Sequence, residues 1–153
     1  MLQILGTYQS GTGTAAKNLI TQLPLVANEF PEVAGCRPGT INVRLDSELY
    51  VVAPDHRTLP IHWNDNDFPD GERFDLLRVN MRLPLDAPEV KAWLYIPHGS
   101  PHRSTPAVHE IIAPDVQPPP VHGARCQLSI PRKYCFGPAC LPSYLGQKQM
   151  YVY

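Results

Sequence analysis

A glycine-rich segment, Ser10-Gly11-Thr12-Gly13-Thr14, leads directly into residues with the spacing of an amphipathic helix. Backbone N–H groups in such a turn can approach an anion closely, because glycine has no side chain in the way. The N-terminus of the following helix adds partial positive charge at the same place. The segment predicts a phosphate-binding loop, although it matches neither the P-loop nor the dinucleotide fingerprint. An ordinary turn capped by Thr14 is the alternative.

A second segment, Pro38-Gly39-Thr40-Ile41-Asn42, offers two neutral oxygen ligands. Alternation along a strand places the Thr40 hydroxyl and the Asn42 side-chain carbonyl on the same face. Mg²⁺ accepts few protein ligands of this kind and fills its other positions with water and phosphate oxygens. The segment therefore predicts a magnesium site, and its alternative is the solvent face of a half-buried strand.

A third segment contains a lone acid, Glu110, in the otherwise apolar run 108–113. A carboxylate in a cleft can accept a hydroxyl proton or bind a polar edge of a ligand. Upstream, His98 and His102 have the spacing of two zinc ligands on a helix. The intervening Gly99-Ser100-Pro101 disfavours a helix, so a polar loop is expected there rather than a metal site.

Two further patterns are weaker. Asp65, Asp67 and Asp70 suggest a calcium loop but do not have its spacing, and a solvated hairpin tip is expected instead. Cys135 and Cys140 lack the Cys-x-x-Cys spacing of zinc ribbons, so buried thiols are expected.

The elements that must position these residues are short strands and one helix. Apolar residues at spacings of three and four predict a helix from Ala15 to Phe30, which Pro24 should kink or split and Pro31 should end. Alternation predicts a strand in which Ile41, Val43 and Leu45 face one way. Asp70-Gly71 predicts a turn between two strands. Further strands are expected at 2–9, 49–53, 59–63, 74–83, 90–96, 108–113 and 125–130.

This series predicts a mainly β protein, a closed or partly closed β-barrel with one helix in its N-terminal half. The barrel domain is expected over residues 1–131, and 132–153 as a C-terminal extension packed on it. The proline-rich stretch 114–121 is expected to be an extended connector within the domain.

The composition excludes several classes of protein. Eighteen prolines in 153 residues argue against a helical bundle, and 43% hydrophobic against 18% charged residues argue against disorder. A net charge of −1 disfavours a nucleic-acid partner, including a DNA-binding barrel. The sequence has no membrane-spanning apolar run, no recognisable signal peptide and only four cysteines, so a soluble cytoplasmic protein is expected.

The three segments, in this order, resemble the archaeal CTP-dependent riboflavin kinases. The resemblance covers about residues 3–131 and rests on the motifs at 10–13, 38–45 and 110–114. It implies a small six-stranded β-barrel of the cradle-loop type. It also implies transfer of a phosphoryl group from CTP to the terminal ribityl hydroxyl of riboflavin, with Mg²⁺ as cofactor and FMN and CDP as products.

The resemblance also implies roles for individual residues. Thr40 and Asn42 match the Mg²⁺ ligands of the family, and Glu110 matches its flavin-contacting glutamate. The family's flavin-contacting threonine falls on His102, with Thr105 nearby. The nucleotide-binding loop falls on Gly11, Thr12, Gly13, Thr14, Ala15 and Ala16.

The chain also departs from the family pattern. Gly13-Thr14-Ala15 stands where the family has Gly-Glu-Gly, and no Leu-Arg pair follows Ala113-Pro114. These differences support a second hypothesis, a non-catalytic nucleotide- or flavin-binding protein, or an interaction protein, on the same barrel. The oligomeric state does not follow from the sequence.

Overall fold

The computed structural model describes residues 1–11, 14–51, 53–99, 108–116, 119–131 and 135–136. Six of its strands form a closed antiparallel β-barrel, in which each strand pairs with two neighbours. In chain order the elements are β1 (Leu2–Gln9), α1 (Thr14–Glu29), a 3-10 helix (Pro31–Val33), β2 (Ile41–Leu45), β3 (Tyr50–Val51), β4 (His56–Arg57), β5 (Phe74–Arg82), β6 (Val90–Pro97), β7 (Val108–Ile112), β8 (Arg125–Ile130) and β9 (Cys135–Phe136).

The barrel has the strand order β5-β6-β7-β2-β1-β8, and it closes where β8 pairs with β5. Strand β5 changes partner along its length, since its first half also pairs with β4. Residues 135–136 of the C-terminal extension form β9, which pairs with β3. The mainly β architecture predicted from the sequence, with its six-stranded barrel, is therefore confirmed.

The barrel interior is filled by alternate residues of its strands. On β2, Val43 and Leu45 are buried, Ile41 packs against the same core, and Arg44 is exposed, as the alternation predicts. Parts of β5 and β6 and the end of β7 are buried on both faces, because α1 packs against their outer side there. The outer cluster includes Leu19, Leu23, Val26, Phe30, Phe74, Leu76, Trp93, Tyr95 and Ile112.

Helix α1 is continuous through Pro24, so of the two effects expected of this proline, a kink or a split, the split does not occur. Proline has no N–H, and the carbonyl of Ile20, four residues earlier, loses its helical partner. Both Pro24 and Ile20 lie on the exposed face of the helix, where water can bind that carbonyl. The buried face, with Leu19, Leu23 and Val26, remains regular.

The strand expected at 59–63 does not form. This segment contributes a single bridge, between Ile61 and Glu72, and the preceding His56–Arg57 forms the short strand β4 instead. The turn predicted at Asp70-Gly71 is confirmed, since Gly71 has a φ of +80° and donates its N–H to the Phe68 carbonyl at 2.9 Å. The segment folds back on itself and forms a wall of the site described below.

The α-helix in the described part of the chain is too short and too polar to cross a membrane.

Cys36 and Cys126 are buried free thiols, and burial raises the pKa of each to about 11. Cys135 lies in β9, while Cys140 lies outside the described residues.

Candidate functional site

A cleft of about 740 Å³ on the outer face of the barrel collects described residues from all three predicted segments. Its size falls within the range of about 300–1,000 Å³ that is typical of small-molecule sites. The start of α1, the approach to β2 and the outer face of β7 all contribute to its lining. The predicted residues found there are Gly11, Ala15, Ala16, Thr40, Asn42 and Glu110.

Thr40 and Asn42 project from the same side of the chain, as the alternation predicts. The Thr40 hydroxyl donates a hydrogen bond to Oδ1 of Asn42 at 3.3 Å. Adjacent oxygens of an octahedral Mg²⁺ lie about 3 Å apart, because each Mg–O distance is about 2.1 Å. The two oxygens therefore fit neighbouring positions on such an ion, once the hydroxyl hydrogen turns away.

Glu110 belongs to the same face of the barrel wall. It lies directly opposite Asn42 in the antiparallel pair of β2 and β7, and its side chain is half-buried. Burial raises the pKa of Tyr95, and the negative charges of Glu72 and Glu110 raise it further. Tyr95 is therefore a neutral hydrogen-bond donor, and its hydroxyl contacts Oε1 of Gln22 at 2.6 Å.

Gly11 brings the glycine-rich segment close to the candidate metal ligands. A Cβ atom at this position would lie 2.9 Å from Nδ2 of Asn42, closer than side chains normally approach. The backbone of the preceding residue is held by a hydrogen bond, since the Ser10 N–H donates to Nδ1 of His122 at 3.0 Å. A side chain at Gly11 would therefore displace the amide of Asn42 from its position in the cleft.

One part of the cleft wall is aromatic, and no motif in the sequence predicted it. Trp63 and Phe68 both line the cleft, with ring centroids 5.7 Å apart. The buried carboxylate of Glu72 fixes this wall, because it accepts hydrogen bonds from Trp63 Nε1 at 2.9 Å and from the Gly99 N–H at 2.7 Å. Only the fold-back at Gly71 brings these residues beside the cleft.

Several predicted residues are placed elsewhere or fall outside the described chain. His98 contacts Oδ1 of the buried Asp75 at 2.8 Å, at a separate cluster with Arg57. Thr12, Gly13, His102 and Thr105 lie outside the described residues, and Thr14 is the first residue of α1.

The acidic segment expected to be a solvated hairpin tip is exposed at Asp65, Asp67 and Asp70. Local hydrogen bonds organise it, such as that from Asn64 Nδ2 to Asp67 Oδ2 at 2.9 Å. Within the described ranges, no three His, Cys, Asp or Glu side chains gather into a group that could hold a metal ion. The Thr40–Asn42 pair is of a different kind, because it would share a cation with water and phosphate.

No family model matches the sequence, and no curated protein matches it. The chemistry of the cleft must therefore be inferred from its own residues and from the sequence motifs.

Proposed function

We propose that this protein is a Mg²⁺-dependent phosphotransferase that uses a nucleoside triphosphate, CTP by resemblance, to phosphorylate riboflavin to FMN. The observation that supports this most is that Gly11 of the glycine-rich turn, the side chains of Thr40 and Asn42, and the carboxylate of Glu110 line one cleft. Phosphoryl transfer depends on positioning and on neutralising charge, and these three groups supply both.

In this mechanism each group has one task. The turn at Gly11 and the N-terminus of α1 hold the phosphates, and Thr40 and Asn42 would hold a Mg²⁺ ion, which would neutralise phosphate charge. Glu110 orients the acceptor hydroxyl and takes its proton. The hydroxyl oxygen forms a bond to the γ-phosphorus, the bond from that phosphorus to the β–γ bridging oxygen breaks, and the nucleoside diphosphate leaves.

The aromatic end of the cleft suits the acceptor rather than the nucleotide phosphates. Trp63 and Phe68 offer ring surfaces for a planar heteroaromatic ring, in the offset or tilted arrangements that aromatic pairs prefer. Glu110 lines the same cleft, so in this proposal the ribityl chain of a flavin bound at this wall extends toward the carboxylate. This arrangement favours riboflavin over a small acceptor without a ring.

The second candidate is a nucleotide- or flavin-binding protein on this barrel that does not catalyse transfer. Asp115 supports it, because an acid follows Pro114 where the kinase family has a Leu-Arg pair. Calorimetry with CDP, FMN and Mg²⁺ distinguishes the candidates when it is paired with a turnover assay. Binding without turnover favours the second candidate, and absence of binding rejects both.

The proposed function is tested by FMN formation from riboflavin and CTP at varied Mg²⁺ concentrations. We expect the double variant Thr40→Ala/Asn42→Ala to abolish Mg²⁺-dependent turnover, because both protein ligands of the cation are removed. The control is Thr21→Ala, because Thr21 is exposed on α1. Unchanged activity in the double variant rejects the metal assignment.

A further inference from the structure

The charges around the cleft are unbalanced for a site that binds a polyphosphate. Among the described residues that line it, Arg37 is the only basic side chain, whereas Asp67, Glu72 and Glu110 are acidic. A triphosphate brings several negative charges, and one divalent cation does not neutralise them all. Arg37 is therefore the protein group of the cleft best suited to the remaining phosphate charge.

The backbone of Arg37 is fixed at the edge of the candidate metal site. Its N–H donates to the Ala113 carbonyl at 2.9 Å, which ties it to the chain just after β7. Its carbonyl accepts the Gly39 N–H at 2.9 Å, in the turn that leads to Thr40. The side chain thus starts three residues before one proposed metal ligand and beside the strand that carries Glu110.

The guanidinium of Arg37 is held only loosely. Its Nη1 lies 3.7 Å from Oδ1 of Asp115, and the two side chains are 67% and 62% exposed. By contrast, Arg57 and Arg78 each form two short hydrogen bonds to a carboxylate, at 2.5 to 2.9 Å. An exposed ion pair at 3.7 Å contributes little to stability, so a phosphate can displace Asp115 at low cost.

We propose that Arg37 binds the polyphosphate chain of the nucleotide and that Asp115 competes with the phosphate for its guanidinium. This inference extends the proposed function, since it names the phosphate-binding side chain of the same cleft. Two guanidinium N–H groups can bind two phosphate oxygens at once, which an ammonium group cannot reproduce. Asp115 then acts through Arg37 as a competitor that weakens binding in the free protein.

The test is calorimetric titration of the full chain with CTP and, separately, with inorganic tripolyphosphate, both with Mg²⁺ at fixed ionic strength. We expect Arg37→Ala to weaken binding of both by about 10-fold or more, the usual effect of losing a charge-assisted hydrogen bond. Arg37→Lys should recover part of the loss. Asp115→Asn should tighten binding by up to about 5-fold, because the competing pair is exposed.

Two comparisons make the test specific. Arg44→Ala removes an exposed positive charge from β2 outside the cleft lining and should leave affinity within about 2-fold of the unmodified protein. In the Arg37→Ala background, Asp115→Asn should have a smaller effect, because there is no longer a guanidinium for the carboxylate to compete for. The inference is overturned if Arg37→Ala and the unmodified protein bind with equal affinity, or if the effect of Asp115→Asn is as large without Arg37 as with it.

The outcomes also separate this inference from the proposed function. If the protein binds tripolyphosphate through Arg37 but transfers no phosphoryl group to riboflavin, the inference holds and the kinase proposal fails. If FMN forms and Arg37→Ala binds CTP normally, the kinase proposal holds and the inference fails. If the unmodified protein binds neither polyphosphate, both are rejected.

Discussion

Asn42 on β2 lies directly opposite Glu110 on β7, so one cross-strand pair joins the proposed metal ligand to the proposed base. Side chains that face each other in this way have Cβ atoms about 4.5–5.5 Å apart. A cation held by Asn42 would consequently lie close to the hydroxyl that Glu110 orients. The register of two barrel strands, rather than the conformation of a loop, thus sets the distance between the proposed metal ligand and the proposed base.

Removing the proposed base should impair the chemical step more than binding. We expect Glu110→Gln to lower kcat by about 10²–10⁴-fold while the affinity for CTP changes little, because the amide cannot accept the proton. Steady-state kinetics with both substrates measures this. Glu89→Gln, an exposed residue paired with Arg82 at 3.7 Å, is the matched control. Equal losses in the two variants would contradict the role of Glu110.

A side chain at Gly11 should disturb the site without unfolding the protein. The new Cβ would meet Nδ2 of Asn42 at 2.9 Å, and this flexible amide can move aside. We expect Gly11→Ala to lower turnover roughly 10- to 100-fold, as small misplacements of reacting groups do, with a stability change below about 1 kcal/mol. Gly35→Ala is the control, since a Cβ there has open space.

Trp63 should report flavin binding directly. The chain has two tryptophans, and Trp93 is buried beneath α1, so Trp93→Phe leaves Trp63 as the reporter of the cleft. We expect riboflavin to quench its fluorescence. Trp63→Ala should weaken riboflavin affinity about 2- to 13-fold, the range of an aromatic contact, and Trp63→Phe should weaken it less. If Trp63→Ala binds riboflavin with unaltered affinity, the flavin ring does not bind against Trp63.

Asp75 should make folding stability depend on pH in the acid range. Burial alone would raise the pKa of Asp75, but hydrogen bonds from Arg57 and His98 outweigh it and lower the pKa. The carboxylate therefore stabilises the fold above its unfolded pKa of about 3.9, and this contribution is lost as pH falls through the lower folded value.

The corresponding variant is Asp75→Asn. We expect it to reduce the free energy of unfolding by about 1–3 kcal/mol at pH 7, because a neutral amide replaces a buried carboxylate that accepts charge-assisted hydrogen bonds. Urea unfolding should show a smaller difference from the unmodified protein below pH 3. The exposed Asp65→Asn should show little difference at either pH. A difference that stays constant with pH would contradict the role of ionised Asp75.

Local patterns predicted the barrel strands well. Alternation identified the buried face of β2 at Val43 and Leu45, and the same alternation placed Thr40 and Asn42 together on its outer side. A strand buried on one face is specified by its own sequence, because a shift of one residue would expose its apolar side chains. The two proposed metal ligands could therefore be found without the structure.

The aromatic wall and Arg37 could not be found in this way. Trp63 reaches the cleft only because Glu72 binds its Nε1 and Gly71 turns the chain, so its position depends on contacts made after folding. The same fold-back explains why the strand expected at 59–63 reduces to one bridge at Ile61. Arg37 precedes a recognisable motif, but its partner Asp115 lies far along the chain.

The most direct test of the central claim follows the labelled γ-phosphoryl group of a nucleoside triphosphate in the presence of riboflavin and Mg²⁺. We predict that label from CTP appears in FMN, that transfer requires Mg²⁺, and that Thr40→Ala/Asn42→Ala abolishes it. Absence of labelled FMN with each of the four common nucleoside triphosphates would contradict the claim that this cleft phosphorylates riboflavin.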